Sequence, residues 1–183
     1  YATAFLQDDW SINKKFSVIA GLRCDYHEKY GTNLTPKASV MYKIFPFTVR
    51  FNYARGYRSP SIKELYMNWD HLGMFWIYGN SKLKPETNNY ISLSGEYVNS
   101  WININANVYS NWFRNKIEGM WSNDQTELHY INIGKSRLAG VETMCKIQIN
   151  RHINVHGAYN YLYTSKDADG VRLSSSSPHS GNI

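Results

Sequence analysis

Residues 101–113 read WININANVYSNWF, and the alternation in this stretch decides the fold class. The apolar side chains share one parity: Ile102, Ile104, Ala106, Val108 and Trp112. The polar parity carries four asparagines and a tyrosine: Asn103, Asn105, Asn107, Tyr109 and Asn111. A period of two residues indicates a β-strand with one dry face and one wet face. The stretch also exceeds the usual strand of a soluble protein, which averages about 5–6 residues.

The same period recurs along most of the chain, and helix signals are nearly absent. The predicted strands are 2–10, 16–26, 36–43, 47–55, 88–98, 101–113, 128–149 and 153–164, with a ninth near His179. The predicted connections alternate between short and long: 11–15, 27–35, 44–46, 56–87, 99–100, 114–127, 150–152 and 165–178. In an up-and-down antiparallel sheet, this order puts the short turns on one edge and the long loops on the other. Outer-membrane barrels have that asymmetry.

Alternation alone does not decide whether the apolar face meets lipid or a second sheet. The alternative is a soluble β-sandwich that binds a carbohydrate or another ligand. Strand length favours lipid, because about 9–11 residues cross a bilayer. Tyr and Trp, numbering 15 and 6, favour the boundary between membrane and water. We therefore expect an all-β chain, an antiparallel up-and-down meander of about eight long strands within a larger transmembrane β-barrel.

Charge and cysteine content narrow the function classes further. The formal net charge is +6, but the Lys and Arg residues are scattered, so we expect no nucleic-acid partner. Cys24 and Cys145 lie far apart and form no metal-type cluster. A disulfide between them is the alternative, but we expect two unrelated small apolar side chains.

Two motifs carry a resemblance to a known family. Residues 56–66, GYRSPSIKELY, resemble the aromatic-Arg-Ala-Pro box and the following Glu-Leu-Tyr of TonB-dependent outer-membrane receptors. Residues 79–87, GNSKLKPET, resemble that family's Asn-Pro-x-Leu element followed by Lys/Arg-Pro-Glu. Ser59 replaces the Ala, and Ser81 replaces the Pro. The aromatic connection between the boxes is most similar to receptors of the Bacteroidetes type.

The resemblance implies a transport function. Receptors of this family bind a scarce nutrient, an iron-siderophore, haem or cobalamin, and import it across the bacterial outer membrane. An N-terminal plug inside the barrel contacts TonB, which supplies the energy. Neither the plug nor its TonB-binding peptide is recognisable, so we expect residues 1–183 to be a partial barrel segment that lacks the plug domain. The expected partners are the lipid bilayer, the plug of the full-length chain, TonB and the cargo.

Transport of this kind requires binding and passage, so we expect no catalytic residue, no resident metal and no cofactor other than haem or an iron chelate as cargo. A structural barrel without transport and a barrel enzyme remain alternatives. The chain has no Gly-x-Ser-x-Gly motif to support the enzyme.

Three residue sets follow from the pattern and the resemblance. The ligand-binding candidates are aromatic residues of the long connection: Tyr66, Trp69, His71, Phe75, Trp76 and Tyr78. The motif residues expected to fix the fold of that connection are Tyr57, Arg58, Pro60, Glu64, Leu65, Tyr66, Asn80, Leu83, Pro85 and Glu86, with Lys63 beside them. The residues expected to face the barrel lumen are Arg50, Asn103, Asn105, Asn107, Glu142 and Lys146.

His71 stands where haem receptors of this family carry an axial histidine, and His129 is a weaker second candidate. We favour an exposed loop histidine over a haem ligand as the interpretation of His71, because a single candidate ligand is a weak metal signal.

Overall fold

The computed structural model describes residues 1–165 and 177–182. These residues form one short helix and eleven strands: β1 (Ala2–Asn13), β2 (Phe16–His27), β3 (Gly31–Ile44), β4 (Phe47–Arg58), α1 (Ile62–Tyr66), β5 (Asn68–Asp70), β6 (Trp76–Tyr78), β7 (Glu86–Val98), β8 (Ile102–Trp121), β9 (Glu127–Gln148), β10 (Asn154–Thr164) and β11 (His179–Asn182). The predicted loop at 165–178 lies mostly outside the described residues.

Nine of these strands form a single antiparallel meander in chain order, interrupted only by the excursion between β4 and β7. The short hairpin of β5 and β6 stands off this path, and β6 pairs in parallel with the start of β9. The predicted meander of long strands is therefore confirmed, as is a ninth strand near His179. Among the described residues, α1 is the single helix, and it is too short to cross a membrane.

The pairing register aligns side chains of similar polarity in rows that cross five neighbouring strands. One paired row is wholly apolar or aromatic: Phe51, Leu93, Val108, Val141 and Tyr161. The next row, on the opposite face, is wholly polar: Arg50, Ser94, Asn107, Glu142 and Asn160. Leu93 is 54% exposed and Val108 is 55% exposed, so no second layer of the described chain covers the apolar face.

The predicted loop at 27–35 is wrong. The strand β2 ends at His27 and β3 begins at Gly31, where the backbone adopts a φ of 71° that glycine tolerates without strain. The amide of Tyr30 donates to the carbonyl of His27 at 3.1 Å and closes the turn. The polar composition of residues 31–35 hid the strand, because most of its side chains are Thr or Asn.

The predicted loop at 114–127 is also wrong except for residues 122–126. The strands β8 and β9 continue as a two-stranded ribbon to Trp121 and from Glu127. Asn115 interrupts the alternation with a φ of 54°, yet the pairing register is the same on both sides of it. The ribbon buries Ile117 and Ile133, which are 6% and 5% exposed. This burial stabilises strands that the sequence pattern alone did not reveal.

Candidate functional site

The connection between β4 and β7 begins with a capped helical turn. Pro60 is buried and cannot donate a backbone hydrogen bond, so the sheet pairing of β4 stops there. Ser61 is the N-cap of α1, and its Oγ accepts from the Glu64 amide at 3.2 Å. The Glu64 carboxylate accepts in return from the Ser61 amide at 2.7 Å. This reciprocal capping box satisfies two backbone donors at the start of the helix.

Arg58 links that helix to β7 and, through Glu86, to β8. Its guanidinium donates to both carboxylate oxygens of Glu64, at 2.9 and 3.0 Å, and to Glu86 at 3.2 Å. Glu86 Oε2 also accepts from the amide of Ile117 at 3.0 Å. Three charged residues of the predicted motifs, Arg58, Glu64 and Glu86, are thus in contact where the connection leaves and rejoins the sheet. Lys63 forms no ion pair within the described part of the chain.

The environment of Glu64 favours its ionised form. Partial burial of the carboxyl acts to raise the pKa of Glu64, but the hydrogen bonds from Ser61 and Arg58 outweigh it. The pKa of Glu64 is therefore lower than its ordinary value.

A small apolar core lies under the helix. Leu65, Leu83 and Ile117 are 8%, 2% and 6% exposed, and Tyr130 packs against them. This core joins both motifs to the β8–β9 ribbon. The hydroxyl of the motif residue Tyr57 is buried and has no hydrogen-bond partner among the described residues.

The second motif, residues 79–87, begins in close contact with the backbone of α1 and of Met67, the residue that follows it. The Gly79 amide donates to the Met67 carbonyl at 2.5 Å. A Cβ on Gly79 would lie 2.6 Å from the Tyr66 nitrogen, so only glycine fits this approach. The Asn80 amide donates to the Glu64 carbonyl at 2.8 Å, and its side chain donates to the Tyr130 carbonyl at 3.0 Å.

Between these two anchors, β5 and β6 form a hairpin that projects an aromatic cluster from one face. Trp69 lies 4.8 Å from His71, and His71 lies 4.7 Å from Phe75, measured between ring centroids. Phe75 in turn lies 5.0 Å from Trp121 at the end of β8. The Nδ1 atom of His71 is buried and has no partner among the described residues.

The opposite face of the hairpin carries a stack of parallel rings. Trp76 and Tyr78 have ring centroids 5.9 Å apart with planes 13° apart, and Tyr78 lies 5.0 Å from His129 at 17°. The parallel pairing of β6 with β9 sets Tyr78 opposite His129. Nε2 of His129 lies 2.8 Å from the Glu127 carboxylate.

The structure therefore separates the six ligand-binding candidates into three places. Trp69, His71 and Phe75 share one face of the hairpin, and Trp76 and Tyr78 share the other. Tyr66 lies apart from both; it is 61% exposed, and its ring is 6.0 Å from the Lys29 ammonium.

Trp121 completes the first cluster and was missed in the sequence. The predicted loop at 114–127 concealed the strand that brings Trp121 to Phe75. The aromatic character of residue 121 was the available signal.

The predicted lumen-facing residues all lie on the polar face of the sheet. The Asn107 amide donates to Glu142 at 3.2 Å, and Asn103 donates to Glu96 at 3.4 Å. The pairing register places the remaining members of the predicted set on the same face: Arg50, Asn105 and Lys146.

Comparison with known proteins identifies the family. The whole chain, residues 1–183, matches the family model described as TonB dependent receptor-like, beta-barrel. The chain belongs to this family. It is a segment of a TonB-dependent receptor barrel, and it is located in the bacterial outer membrane.

Individual relatives agree with this assignment. The iron-regulated outer membrane virulence protein of Vibrio cholerae is 25% identical over 88% of this chain and 27% of its own length. The vitamin B12 transporter BtuB of Vibrio cholerae is 29% identical over 77% of this chain and 21% of its own length. The chain thus spans about a quarter of the length of the curated relatives it matches.

A crystal structure of the ferric enterobactin receptor PfeA from Pseudomonas aeruginosa, solved as a mutant, superposes with a TM-score of 0.80. The superposition covers 98% of this chain and 29% of that receptor, at 20% sequence identity. It shows that the two share the barrel fold.

Proposed function

We propose that the full-length receptor containing this segment binds a ferric siderophore or cobalamin and imports it across the outer membrane with energy supplied through TonB. Two neighbours support these cargo classes: one is named as a vitamin B12 transporter and the other as a ferric enterobactin receptor. The relatives are transport receptors, and we infer that this receptor acts by binding and passage without catalysis.

The observation that carries this proposal is the aromatic surface of the long connection. Rings on both faces of the β5–β6 hairpin stand at the edge of the sheet where the longest described connection lies. Trp69 and Trp76 are each 43% exposed, so much of their area is free to contact a ligand. Rigid aromatic rings suit a planar macrocycle or a catecholate chelate.

The anchors of the hairpin support a recognition role. The capping box, the Arg58 network and the Gly79 approach fix both ends of the connection to the sheet. A ligand surface held in this way loses little conformational entropy on binding, which favours affinity. The proposed contact residues are Tyr66, Trp69, His71, Phe75, Trp76 and Tyr78.

The polar face of the sheet has a proposed role in passage. Alternating amides and charges suit a wet barrel interior or contact with a plug domain. We infer that the Asn103–Asn107 side of β8, with Glu142 and Lys146 of β9, faces the lumen, and that the plug and TonB act from other parts of the full-length receptor.

The test uses the full-length receptor purified in detergent. Titration calorimetry compares ferric enterobactin, cobalamin and haem as probes with the wild type, with Trp76→Ala and with Phe75→Ala. Trp101→Ala, on the opposite edge of the sheet, is the matched control. Loss of a buried aromatic contact is expected to weaken binding about tenfold, whereas the control stays within about twofold.

Haem is included because imidazole is a good axial ligand and the buried Nδ1 of His71 has no hydrogen-bond partner in the described part of the chain. A Soret shift that is abolished in His71→Ala and kept in His129→Ala would identify haem. If none of the three probes binds the wild type, or if the hairpin variants bind as tightly as the control, the proposed contact surface is wrong.

A further inference from the structure

Arg137 is a cation on the apolar face of the sheet. It pairs with Trp112 across β8 and β9, in the same parity as Val108 and Val141. Its guanidinium carbon lies 5.2 Å from the centre of the Trp112 ring, and its Nε donates to Ser110 Oγ at 2.9 Å. Ser110 lies two residues nearer than Trp112 to Ile102, where β8 begins at the short-turn edge of the sheet. The Arg137 side chain is therefore directed along the apolar face toward that edge.

The position along the strand places this cation at the membrane boundary. Ser110 is the ninth residue of β8, counted from Ile102. A tilted strand crosses the hydrocarbon with about 9–11 residues. The guanidinium thus lies where hydrocarbon gives way to headgroups, on the edge of the sheet that bears the long connection.

An apolar groove of about 680 Å³ lies next to Arg137 on the same face. Its walls come from five neighbouring strands and include Phe51, Leu93, Val108, Val141 and Tyr161. Arg137 and Trp112 also line it. The groove therefore combines a cationic end with an apolar body.

Further cations follow on the same face. Arg114 pairs with Lys135 two rows beyond Trp112 and Arg137, which is the next row on the same face. Arg55 lies in the row of Trp112, because both residues pair with Asn89. The two β7 residues of these rows are Thr87 and Asn89, which are uncharged. The local field at the boundary is thus positive.

We propose that Arg137 binds a phosphate of an outer-leaflet phosphorylated glycolipid, whose acyl chain lies in the groove. At the membrane boundary, a phosphate offers a guanidinium a charge-assisted, bidentate partner. The cation–π contact and the Ser110 hydrogen bond hold Arg137 in place for that partner. This inference rests on the proposed function and on the rule that the longer connections of outer-membrane barrels face the cell exterior.

Native mass spectrometry of the full-length receptor in detergent micelles tests the proposal. The probes are lipid A carrying its phosphates and the same lipid A after enzymatic dephosphorylation. The wild type is expected to retain the phosphorylated form preferentially. Arg137→Gln is expected to reduce that affinity about fivefold and to leave the dephosphorylated form unaffected. Arg50→Gln, on the polar face of the same sheet, is the matched control and is expected to change neither.

Three results would overturn the proposal: equal binding of both lipids by the wild type, unchanged binding by Arg137→Gln, or equal losses in Arg137→Gln and Arg50→Gln. The wild-type comparison decides even if Arg137→Gln fails to fold, and Arg137→Lys then replaces it because it keeps the charge and should retain part of the preference. None of these variants alters the hairpin, so a failure here leaves the cargo proposal standing.

Discussion

The nine-stranded meander, called the wall below, and the long connection between β4 and β7 keep their shapes by different interactions. In the wall, neighbouring strands pair residue by residue, and the alternating side chains decide which medium each face meets. In the connection, single side chains bind distant backbone groups. Asn80 of the connection donates to the Tyr130 carbonyl at 3.0 Å. Asn132 of β9 binds both backbone groups of Lys84 in the connection, donating to its carbonyl at 2.9 Å and accepting from its amide at 2.8 Å.

This difference predicts how the two regions respond to substitution. A substitution in the wall should change stability through the medium that the new side chain meets. The resulting loss of unfolding free energy therefore depends on the face of the sheet and on the presence of a bilayer. A change in the connection should act through a named partner, with the same cost in any medium. Matched pairs of substitutions separate the two kinds of effect.

The largest effect is expected from a charge on the apolar face of the wall. Val108→Arg puts a guanidinium near the middle of the membrane-crossing part of β8, about 9–11 residues counted from Ile102, on the face that meets hydrocarbon. We expect it to lower the free energy of unfolding in a bilayer by about 2–4 kcal/mol. Denaturant titration of the full-length receptor in vesicles measures the loss.

Asn107→Arg is the control for that measurement, because Asn107 is the neighbouring residue on the polar face. The control should lose much less, because water or Glu142 can accept the new charge. Equal losses at residues 107 and 108 would contradict the assignment of the two faces.

The next effect concerns a glycine in each region. Gly79→Ala would bring a methyl group to 2.6 Å from the Tyr66 nitrogen and 2.7 Å from the Met67 nitrogen, and neither backbone atom can move freely. We expect this overpacking to cost about 1–3 kcal/mol of local stability. Hydrogen exchange at the amides of the connection measures it in detergent and in vesicles alike.

Gly95→Ala is the control in the wall, where a Cβ meets nothing within 4 Å. We expect a change within about 0.5 kcal/mol there. If the two alanines have equal effects, the close approach at Gly79 does not constrain the connection.

The wall could be predicted from sequence because its pattern is local. Ile104 and Val108 on one parity and asparagines on the other are sufficient to assign the faces, and the structure agrees. The prediction failed at residues 27–35 and 114–127, where strand content depends on partners rather than on alternation. Thr32 and Asn33 form a strand because β2 is there to pair with them, and Ile117 does so because α1 covers it.

The connection could be predicted only as a set of motif residues. The sequence brought Arg58, Glu64 and Glu86 to attention, but it contained no sign that Glu86 also binds the Ile117 amide. Nor could it separate the candidate rings onto two faces of a hairpin. That separation depends on the parallel pairing of β6 with β9, a contact between segments about 50 residues apart for which no local pattern exists.

The smallest predicted effect is the pH dependence of the connection. Because the pKa of Glu64 is lowered in the folded state, the ionised carboxylate stabilises the capped helix at pH values above its ordinary pKa, about 4.3. This stabilisation should be lost progressively as the pH falls through the lowered pKa. Arg58 is 45% exposed, so solvent screening should keep the effect below about 1 kcal/mol.

Hydrogen exchange at the Leu65 amide, corrected for the intrinsic rate, reports this loss because that amide donates to the Ser61 carbonyl within the capped turn. Glu64→Gln should remove the pH dependence while keeping part of the cap, since the side-chain amide oxygen still accepts from Ser61. The Val108 amide in the wall serves as the internal reference. A pH dependence at Leu65 that survives in Glu64→Gln would show that another group titrates there, and the connection would then depend on more than the Arg58 network.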